Sequence, residues 1–213
     1  MRFTIIDYGI GNILSITKAF EKNGVKLDIT SDYKIIKNSS CLILPGVGAF
    51  EPAVKTLRDL NLIDEIKSFV ETGKPVLGIC LGMQLFMTKS YEFGENNGLN
   101  IIDGPVEKIQ IDESISKFKL PHIGWREVNR FESSHNSINY FKNIFNKKFY
   151  FVHSFESKPN DKKYIVGTCE YFKTKINSII LKDNIIGCQF HPEKSGKNGL
   201  KFIESFINFA KKV

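Results

Sequence analysis

The stretch PVLGICLGMQ, residues 75–84, decides the fold prediction because it indicates a buried strand that turns at once into a helix. Residues 75–79 form an apolar run typical of a strand, and residues 81–89 have the apolar spacing of a helix. Gly78 and Gly82 stand two residues before and after Cys80, and glycine lets neighbouring backbone approach closely. The sequence therefore predicts a sharp strand-to-helix turn with Cys80 at its tip.

A cysteine on such a turn is well placed to act as a nucleophile. The elbow geometry of serine hydrolases pushes the nucleophile out of the sheet toward the ligand in the same way. The helix N-terminus behind Cys80 favours thiolate over thiol and aims free backbone N–H groups at a developing oxyanion. We interpret Cys80 as a nucleophile, and the alternative is a buried cysteine between packing glycines.

A histidine and a carboxylate follow a second predicted strand near the C-terminus. The segment GCQFHPEKS, residues 187–195, places His191 at the strand end and Glu193 two residues later. A thiol nucleophile needs a base, and the imidazole needs a carboxylate to fix its tautomer and orientation. Strand ends at one edge of a parallel sheet converge, so we expect Cys80 and His191 to meet. A carboxylate in the same arrangement is missing beside the other histidines, which are His122, His135 and His153.

A glycine-rich turn follows a third predicted strand. In LPGVGAF, residues 44–50, Gly46 and Gly48 can expose backbone N–H groups or reorient a peptide plane at low steric cost. We interpret this segment as an oxyanion-hole or substrate-cradling loop, and an ordinary tight turn is the alternative. A phosphate-binding loop is not indicated, because no Gly-Lys-Ser/Thr follows.

Strand and helix signals alternate up to about residue 99, which predicts a parallel sheet covered by helices on both faces. The fold class is therefore α/β: an open, mostly parallel sheet flanked by helices, with an antiparallel extension in the C-terminal part. Without an internal repeat or low-complexity linker, residues 1–213 are predicted to form a single domain. The predicted strands are 3–6, 25–30, 41–44, 75–79, 106–111, 149–153, 165–171, 176–182 and 185–190. The predicted helices are 12–23, 57–71, 81–89 and 201–211, and the polar residues 127–139 are a predicted loop.

Composition is typical of a soluble globular protein. The 213 residues are 42% hydrophobic and 25% charged, and no apolar stretch approaches the roughly 20 residues of a membrane span. The N-terminus reaches Asp7 after only Phe3, Ile5 and Ile6 beyond Met1, too few apolar residues for a signal-peptide core. The four cysteines show neither metal-ligand spacing nor a disulfide framework, which favours a reducing, cytoplasmic compartment. We expect no metal and no cofactor.

The net charge of +7 raises the question of nucleic-acid binding. The lysines are scattered along the chain, and neither an aromatic RNA-binding signature nor a zinc-finger spacing appears. We therefore expect no nucleic-acid partner and no membrane partner. The positive charge reflects either a compositional bias or a surface that docks an acidic partner or phosphorylated substrate.

Together, GICLGMQ at residues 78–84 and QFHPEKS at residues 189–195 resemble the class I glutamine amidotransferases, whose domains share a Cys, His, Glu triad on an α/β sheet. Further segments resemble the glutaminase subunits of imidazole glycerol phosphate synthase, an enzyme of histidine biosynthesis. These segments are DYGIGNILSI at 7–16, PGVGAF at 45–50, PHIGW at 121–125 and YFVHSF at 150–155. The likeness runs from end to end and is weakest between residues 126 and 148.

The resemblance implies roles for individual residues in glutamine hydrolysis. Cys80 would attack the side-chain amide, His191 would protonate the leaving nitrogen and later activate water, and Glu193 would orient His191. The oxyanion hole would be formed by backbone of Val47, Gly48 and Leu81. Glutamine would be held by Gly46, Gln84 and the backbone of His153, Ser154 and Phe155. The loop at Gly48 would be misoriented until the partner binds its own substrate.

The resemblance also implies a partner, a cyclase subunit of the (β/α)8-barrel class in a heterodimer, which would use the ammonia to close an imidazole ring. Trp125 of PHIGW is assigned to the docking face, and a core indole is the alternative. Arg126 departs from the family pattern, in which Asn usually follows this tryptophan, and it changes charge and reach near the expected partner.

Two further hypotheses remain. The same glutaminase chemistry could serve a sugar amidotransferase, and Arg126 is the feature that supports this hypothesis. A catalytically inactive binding module built on the same fold is the other. The intact Cys80, His191 and Glu193 argue against it, because a binding module has no need of all three.

Overall fold

The strands form two sheets in the computed structural model, which describes residues 1–110, 120–131 and 136–212. In chain order the strands are β1 (Phe3–Ile6), β2 (Leu27–Thr30), β3 (Cys41–Leu44), β4 (Val76–Ile79), β5 (Met87–Ser90), β6 (Asn96–Asn97), β7 (Ile102–Lys108), β8 (His122–Arg130), β9 (Lys147–His153), β10 (Phe155–Ser157), β11 (Ile165–Tyr171), β12 (Thr174–Lys182) and β13 (Ile185–Cys188). The α-helices are α1 (Ile13–Glu21), α2 (Tyr33–Lys37), α3 (Phe50–Asp59), α4 (Ile63–Glu71), α5 (Leu81–Leu85) and α6 (Gly196–Ala210). Short 3-10 helices cover Asn136–Ile144, Lys162–Tyr164 and Pro192–Lys194.

The larger sheet has the strand order β2-β1-β3-β4-β13-β12-β11-β8-β9. The pairs from β2 to β13 are parallel, and the pairs from β13 to β9 are antiparallel. The prediction of an α/β fold with a C-terminal antiparallel extension is confirmed. Although β13 lies in the C-terminal part of the chain, it does not belong to the extension: it lies beside β4 and parallel to it.

The two faces of the parallel part carry separate apolar layers, as the continuous apolar strands predict. Ile5, Ile43 and Leu77 belong to the layer that also contains α1 and α6. Ile6 and Leu42, on the other face, pack with residues of α3, α4 and α5. The aromatic residues Phe202, Phe206 and Phe209 of α6 are fully buried in the first of these layers.

The predicted helix 81–89 is wrong beyond Leu85, because the chain there joins the second sheet. That sheet has the order β10-β7-β5-β6. The amides of Leu99 and Ile101 donate to the carbonyls of Leu85 and Phe86, so a later segment takes the acceptors that a continuing helix would use. Hydrogen bonds to residues more than ten positions away therefore end the helix.

The predicted helix 57–71 is two helices, α3 and α4. Asn61 between them has φ +56, a left-handed conformation that asparagine adopts more readily than most residues. The amide of Leu62 closes the turn by donating to the carbonyl of Leu57. A single turn residue, which the apolar spacing does not reveal, divides the predicted helix.

The predicted loop 127–139 is partly wrong, since β8 continues to Arg130 between β9 and β11. The loop was predicted from the polarity of these residues, and in the structure polar side chains such as Glu127 and Asn129 lie on the exposed face of the strand. Residues 132–135, including His135, lie outside the described part of the chain, as does Ile111 of predicted strand 106–111. In the described ranges, every helix is too short or too polar to cross a membrane.

Candidate active site

Cys80 occupies the turn between β4 and α5. Its backbone has φ +55 and ψ −109, a left-handed φ that a residue with a Cβ rarely adopts. Such a conformation costs about 1–3 kcal/mol and persists only where the surroundings hold it. The Cys80 amide donates to the carbonyl of Cys188 at 2.7 Å, which ties the turn to the neighbouring strand β13. The side chain is thereby directed out of the sheet.

Gly78 and Gly82 allow the turn to pack. A Cβ on Gly78 would lie 2.5 Å from a ring carbon of Phe86 and 2.7 Å from the Gly82 carbonyl oxygen. A Cβ on Gly82 would overlap the carbonyl oxygen of Leu44 at the end of β3. The backbones of β3, β4 and α5 therefore meet at a distance that only glycine permits, and this fixes the position of Cys80.

His191 and Glu193 follow the end of β13, the strand next to β4. Ile79 and Cys188 are register partners in the parallel pair, so the segments that follow them leave the same edge of the sheet. His191 Nδ1 lies 2.9 Å from Glu193 Oε1, and their side chains are 2% and 0% exposed. This buried contact holds the imidazole in one orientation, with Nδ1 turned to the carboxylate.

The environment of His191 favours the protonated ring. Burial by itself would lower the pKa of His191, but the electrostatic interaction with Cys80 and a hydrogen bond to its sulfur outweigh burial. With the hydrogen bond to Glu193, these contacts raise the pKa of His191 to about 10. An imidazolium between a sulfur and a carboxylate is the arrangement required to activate a thiol nucleophile.

A cavity of about 490 Å³ opens beside the sulfur. This volume lies in the range of small-molecule sites. Residues predicted for the site that line it are Val47, Gly48, Cys80, Leu81, Gln84, His153, Ser154, Phe155 and His191. Lining residues that the sequence did not indicate are Gly11, Asn12, Glu92, Val152 and Lys194.

Gly46, which was also predicted for the site, is not among the residues that line the cavity in the described part of the chain. A Cβ on Gly46 would lie 2.7 Å from Leu81 Cβ and 2.9 Å from the Gly82 amide nitrogen. Gly46 therefore packs against the start of α5, and the expected contact of its backbone with glutamine stays a prediction. The hydroxyl of Tyr8 donates to the Pro45 carbonyl at 2.7 Å and anchors the same end of the loop.

The other end of that loop is open. Gly48 has φ +86, and a Cβ built there would meet nothing within 4 Å. Val47 is half-exposed beside it. The loop is thus fixed at Pro45 and Gly46 and unobstructed at Val47 and Gly48, so the peptide unit nearest the cavity has space to change orientation.

Gln84 on α5 connects the nucleophile to the opposite wall. Its Nε2 donates to the Phe155 carbonyl at 3.0 Å and to Gln189 Oε1 at 3.0 Å. Both amide hydrogens are used, which leaves the Gln84 carbonyl oxygen as the group available to a ligand.

Glu92 supplies a carboxylate on the cavity wall that the sequence did not indicate. One carboxylate oxygen, Oε2, accepts from the Phe50 amide at 2.7 Å at the start of α3. Burial raises the pKa of Glu92, and the hydrogen bond from Phe50 opposes this. Glu92 lies in a polar turn after β5, and no pattern in the sequence connects that turn to Cys80.

His153 and His122 form a buried pair behind the cavity. His153 Nε2 lies 3.0 Å from His122 Nδ1, and His153 Nδ1 lies 2.8 Å from the Phe155 carbonyl oxygen. Burial lowers the pKa of His122 to about 3 and that of His153 to about 4. Both rings are therefore neutral near pH 7.

Trp125 and Arg126, the residues assigned to a docking face, point to opposite sides of β8. The indole is 47% exposed and makes an edge contact with Tyr150, so Trp125 is not a core residue. The Arg126 guanidinium lies 5.0 Å from the centroid of the Tyr171 ring and donates to the Trp125 carbonyl. Arg126 thus covers the face behind the histidine pair, whereas Trp125 faces outward.

Comparison with known proteins identifies similar chains over nearly the whole length. The family described as glutamine amidotransferase class-I matches residues 4–209. An imidazole glycerol phosphate synthase subunit HisH from Pelagibacter ubique is 45% identical, with 98% of this chain and 100% of that protein covered. The subunit of the same name from Aquifex aeolicus is 42% identical, with 100% and 99% covered.

Solved structures with little sequence similarity share the fold. A structure titled as a glutamine amidotransferase superposes with a TM-score of 0.74 at 14% identity and covers 98% of each chain. The glutaminase domain of a Trypanosoma brucei CTPS superposes with a TM-score of 0.66 at 17% identity, with 100% of this chain and 94% of that domain covered. These chains therefore share the overall fold.

Proposed function

The chain belongs to the class-I glutamine amidotransferase family, and we propose that it is the glutaminase subunit of an imidazole glycerol phosphate synthase in histidine biosynthesis. The observation that carries this proposal is the end-to-end identity of 45% and 42% with two subunits of that name. The cavity beside Cys80, His191 and Glu193 supports glutamine hydrolysis as its reaction. We also propose that residues 1–213 act as one domain, since one sheet joins β2 to β9, and that the protein works in the cytoplasm.

Hydrolysis begins with thioester formation. The Cys80 thiolate attacks the side-chain amide carbon of glutamine, and a carbon–sulfur bond forms as the carbonyl electrons move onto oxygen. The carbon–nitrogen bond then breaks while His191 gives its Nε2 proton to the leaving nitrogen, which departs as ammonia. Glu193 keeps Nδ1 protonated, so Nε2 is the position that exchanges protons.

Glutamate is released in a second reaction, in which water attacks the thioester. Neutral His191 takes a proton from water, the hydroxide attacks the thioester carbon, and the carbon–sulfur bond breaks to restore the thiolate and the imidazolium. The net change is glutamine and water to glutamate and ammonia.

Both steps place a negative charge on the former amide oxygen. The Leu81 amide is at the first position of α5, where an N–H group has no acceptor within its own helix. The Val47–Gly48 peptide on the open side of the loop provides the second donor. An oxyanion donor is worth about a hundredfold or more in rate. The orientation of this one peptide is therefore sufficient to switch hydrolysis between slow and fast.

Glu92 provides the counter-charge for the α-ammonium group of glutamine. With Oε2 bound to the Phe50 amide, Oε1 stays available to a cation in the cavity. The carbonyl oxygen of Gln84 is a second acceptor on the same wall. Anchoring the charged end of glutamine leaves its neutral amide to reach the sulfur.

Replacement of Glu92 by glutamine is expected to raise the KM for glutamine about tenfold, the effect of losing a hydrogen bond to a charged group. The turnover number changes less, because Glu92 does not touch the reacting amide. Steady-state glutaminase assays measure both constants. Glu95→Gln is the matched control, since its exposed carboxylate pairs with Lys89 outside the cavity. An unchanged KM in Glu92→Gln would show that Glu92 does not bind the α-ammonium group of glutamine.

The reaction product, ammonia, has to reach the enzyme that consumes it before it is protonated. Ammonia released into water near neutral pH becomes unreactive ammonium, so a closed channel to the consuming enzyme preserves it. We propose that the partner is the (β/α)8-barrel cyclase subunit of a heterodimer. The exposed Trp125 and Ile123, on the same face of β8, support this side of the sheet as the docking face.

The position of Arg126 weakens the alternative partner, a sugar amidotransferase. Its guanidinium lies over Tyr171, on the face of β8 opposite Trp125. The charge that differs from the family pattern is therefore directed away from the proposed docking face. Imidazole glycerol phosphate synthesis remains the favoured reaction.

Reconstitution with the cyclase tests the proposal. The isolated chain should hydrolyse glutamine slowly, and addition of the cyclase with its ribotide substrate should accelerate hydrolysis and yield imidazole glycerol phosphate from glutamine. Hydrolysis that the cyclase does not accelerate, with product formed only from added ammonium, would reject the proposed subunit role.

A further inference from the structure

Gln189, two residues before the triad histidine, is fully buried against the nucleophile. Its Nε2 lies 3.6 Å from Cys80 Sγ, within hydrogen-bond distance for sulfur, and its Oε1 accepts from Gln84. The Gln189 main chain is fixed as well, because its amide donates to the Ser178 carbonyl at 2.9 Å. The side-chain amide is thus held at both ends between α5 and the sulfur.

The orientation of the Gln189 amide follows from its neighbours. Gln84 presents its NH₂ group to two acceptors, Gln189 Oε1 and the Phe155 carbonyl, and a carbonyl oxygen only accepts. A rotated Gln189 amide would set two NH₂ groups against each other and turn its oxygen toward the sulfur. The observed orientation directs an N–H group at Cys80, which is the group that stabilises a thiolate.

The Phe155 carbonyl is itself held by the histidine pair. It accepts from His153 Nδ1 at 2.8 Å, so the neutral His153 ring has its lone pair at Nε2. His122 must then donate from Nδ1 across the 3.0 Å contact. His122 is packed between the rings of Phe151 and Tyr171, with ring centroids 5.1 Å and 4.1 Å away.

Together these contacts form a continuous buried chain from β8 to the nucleophile. In order its members are His122, His153, the Phe155 carbonyl, Gln84, Gln189 and Cys80. Each polar atom has one role, donor or acceptor. The Phe155 carbonyl oxygen only accepts, so it sets the donors on both of its sides, His153 Nδ1 and Gln84 Nε2. The first member belongs to the strand that carries Trp125, so the sulfur is connected to the proposed docking strand through buried side chains and the Phe155 carbonyl.

We propose that Gln189 is a positioning residue for glutamine hydrolysis, whose N–H group holds the Cys80 sulfur in its attacking orientation, and that the chain from His122 fixes the Gln189 amide for this task. The inference rests on the proposed function for the reaction that it serves. The contact between Gln189 and the sulfur is present without substrate, so the effect of Gln189 on the sulfur is tested in an assay that contains no glutamine.

The test is the rate at which iodoacetamide alkylates Cys80 at pH 7, followed by peptide mass spectrometry. Gln189→Met keeps the length of the side chain and removes both hydrogen bonds. We expect alkylation about tenfold slower, and turnover of glutamine about tenfold lower with KM changed less than about threefold, the effect of one hydrogen bond to a charged group. Wild-type rates of alkylation and turnover in this variant would overturn the proposal.

Asn184→Leu is the matched control. Asn184 precedes β13 as Gln189 follows it, and its buried amide donates to the carbonyls of Val70 and Lys74 at the other end of the strand. Its loss should lower stability without slowing alkylation of Cys80. An equal slowing in this control would assign the effect in Gln189→Met to general loosening and overturn the proposal.

The far end of the chain supplies a second test that does not depend on the folding of Gln189→Met. His122→Phe keeps the stacked ring and removes the donor, whereas His122→Asn retains an N–H group near the position of Nδ1. If alkylation of Cys80 slows in His122→Phe and recovers in His122→Asn, the hydrogen-bonded chain is supported. If Cys80 is alkylated at the same rate in both variants, the proposal is overturned. Because alkylation needs no glutamine, absence of glutaminase activity in the wild-type complex would reject the proposed function alone.

Discussion

Replacement of Cys80 by alanine is expected to abolish glutamine-dependent synthesis by the complex, with a loss of at least about 10,000-fold in glutamine hydrolysis. Synthesis from added ammonium should continue at the wild-type rate. The substitution removes the only atom that forms a covalent bond with glutamine in the proposed mechanism, and it leaves the partner's chemistry untouched. The measurement compares product formation by one reconstituted complex with glutamine and with an ammonium salt.

A second cysteine variant controls for the loss of a buried thiol. Cys41 lies at the start of β3 and is fully buried away from the cavity, so Cys41→Ala should retain both activities. Burial raises the pKa of the Cys41 thiol well above its usual value, so this side chain stays a thiol. Loss of ammonium-dependent synthesis in a folded Cys80→Ala complex would show that Cys80 has another role.

Glu193→Gln is expected to lower the turnover of glutamine on the order of 1,000-fold with little change in KM. The neutral amide either turns its NH₂ group to His191 and forces the wrong tautomer, or keeps the tautomer without stabilising the imidazolium. Both outcomes weaken proton transfer at Nε2, and neither alters the walls of the cavity. Steady-state glutaminase kinetics on the reconstituted complex measure the two constants.

Glu156→Gln separates this effect from the loss of any buried carboxylate. Glu156 is 4% exposed and accepts from the Asn177 amide, and its other oxygen lies 3.7 Å from Lys158. We expect lower stability and near wild-type turnover in this control. Turnover in Glu193→Gln within a few-fold of wild type would mean that His191 does not depend on Glu193 for its protonation state.

The parts of the site that the sequence indicated are those encoded by local patterns. The run that ends at Cys80, with its flanking glycines, specifies a strand, a turn and a helix within ten residues. The rule that parallel strand ends converge then linked Cys80 to His191, without knowledge of the order of the strands between β4 and β13 in the chain. The residue types at the two strand ends were therefore sufficient to predict this contact, although the full strand order was not predicted.

The parts that the sequence did not reveal depend on contacts between distant segments. Glu92 reaches the cavity because the second sheet turns the chain back toward α3, where the Phe50 amide holds the carboxylate. Gln189 and His122 are buried polar residues whose partners lie many positions away. Neither composition nor periodicity records which buried amide faces a sulfur.

Two site assignments stay predictions, and the structure adds geometry to each. Gly46, expected to contact glutamine, is buried against Leu81 because the loop leaves β3 directly over α5. Arg126 is assigned with Trp125 to the partner interface, and this assignment also stays a prediction. The two side chains point to opposite sides of β8, as successive residues of a strand do. The Arg126 guanidinium accordingly covers Tyr171.

The most direct measurement of the central claim is covalent labelling by a chloroketone analogue of glutamine. The Cys80 sulfur should displace chloride from the carbon that replaces the amide nitrogen, forming a stable thioether at the position of the thioester. We predict one label per chain, located on Cys80 by peptide mass spectrometry, prevented by excess glutamine and strongly slowed in Glu193→Gln. A folded complex that leaves Cys80 unlabelled, or takes up the label elsewhere without protection by glutamine, would contradict the account.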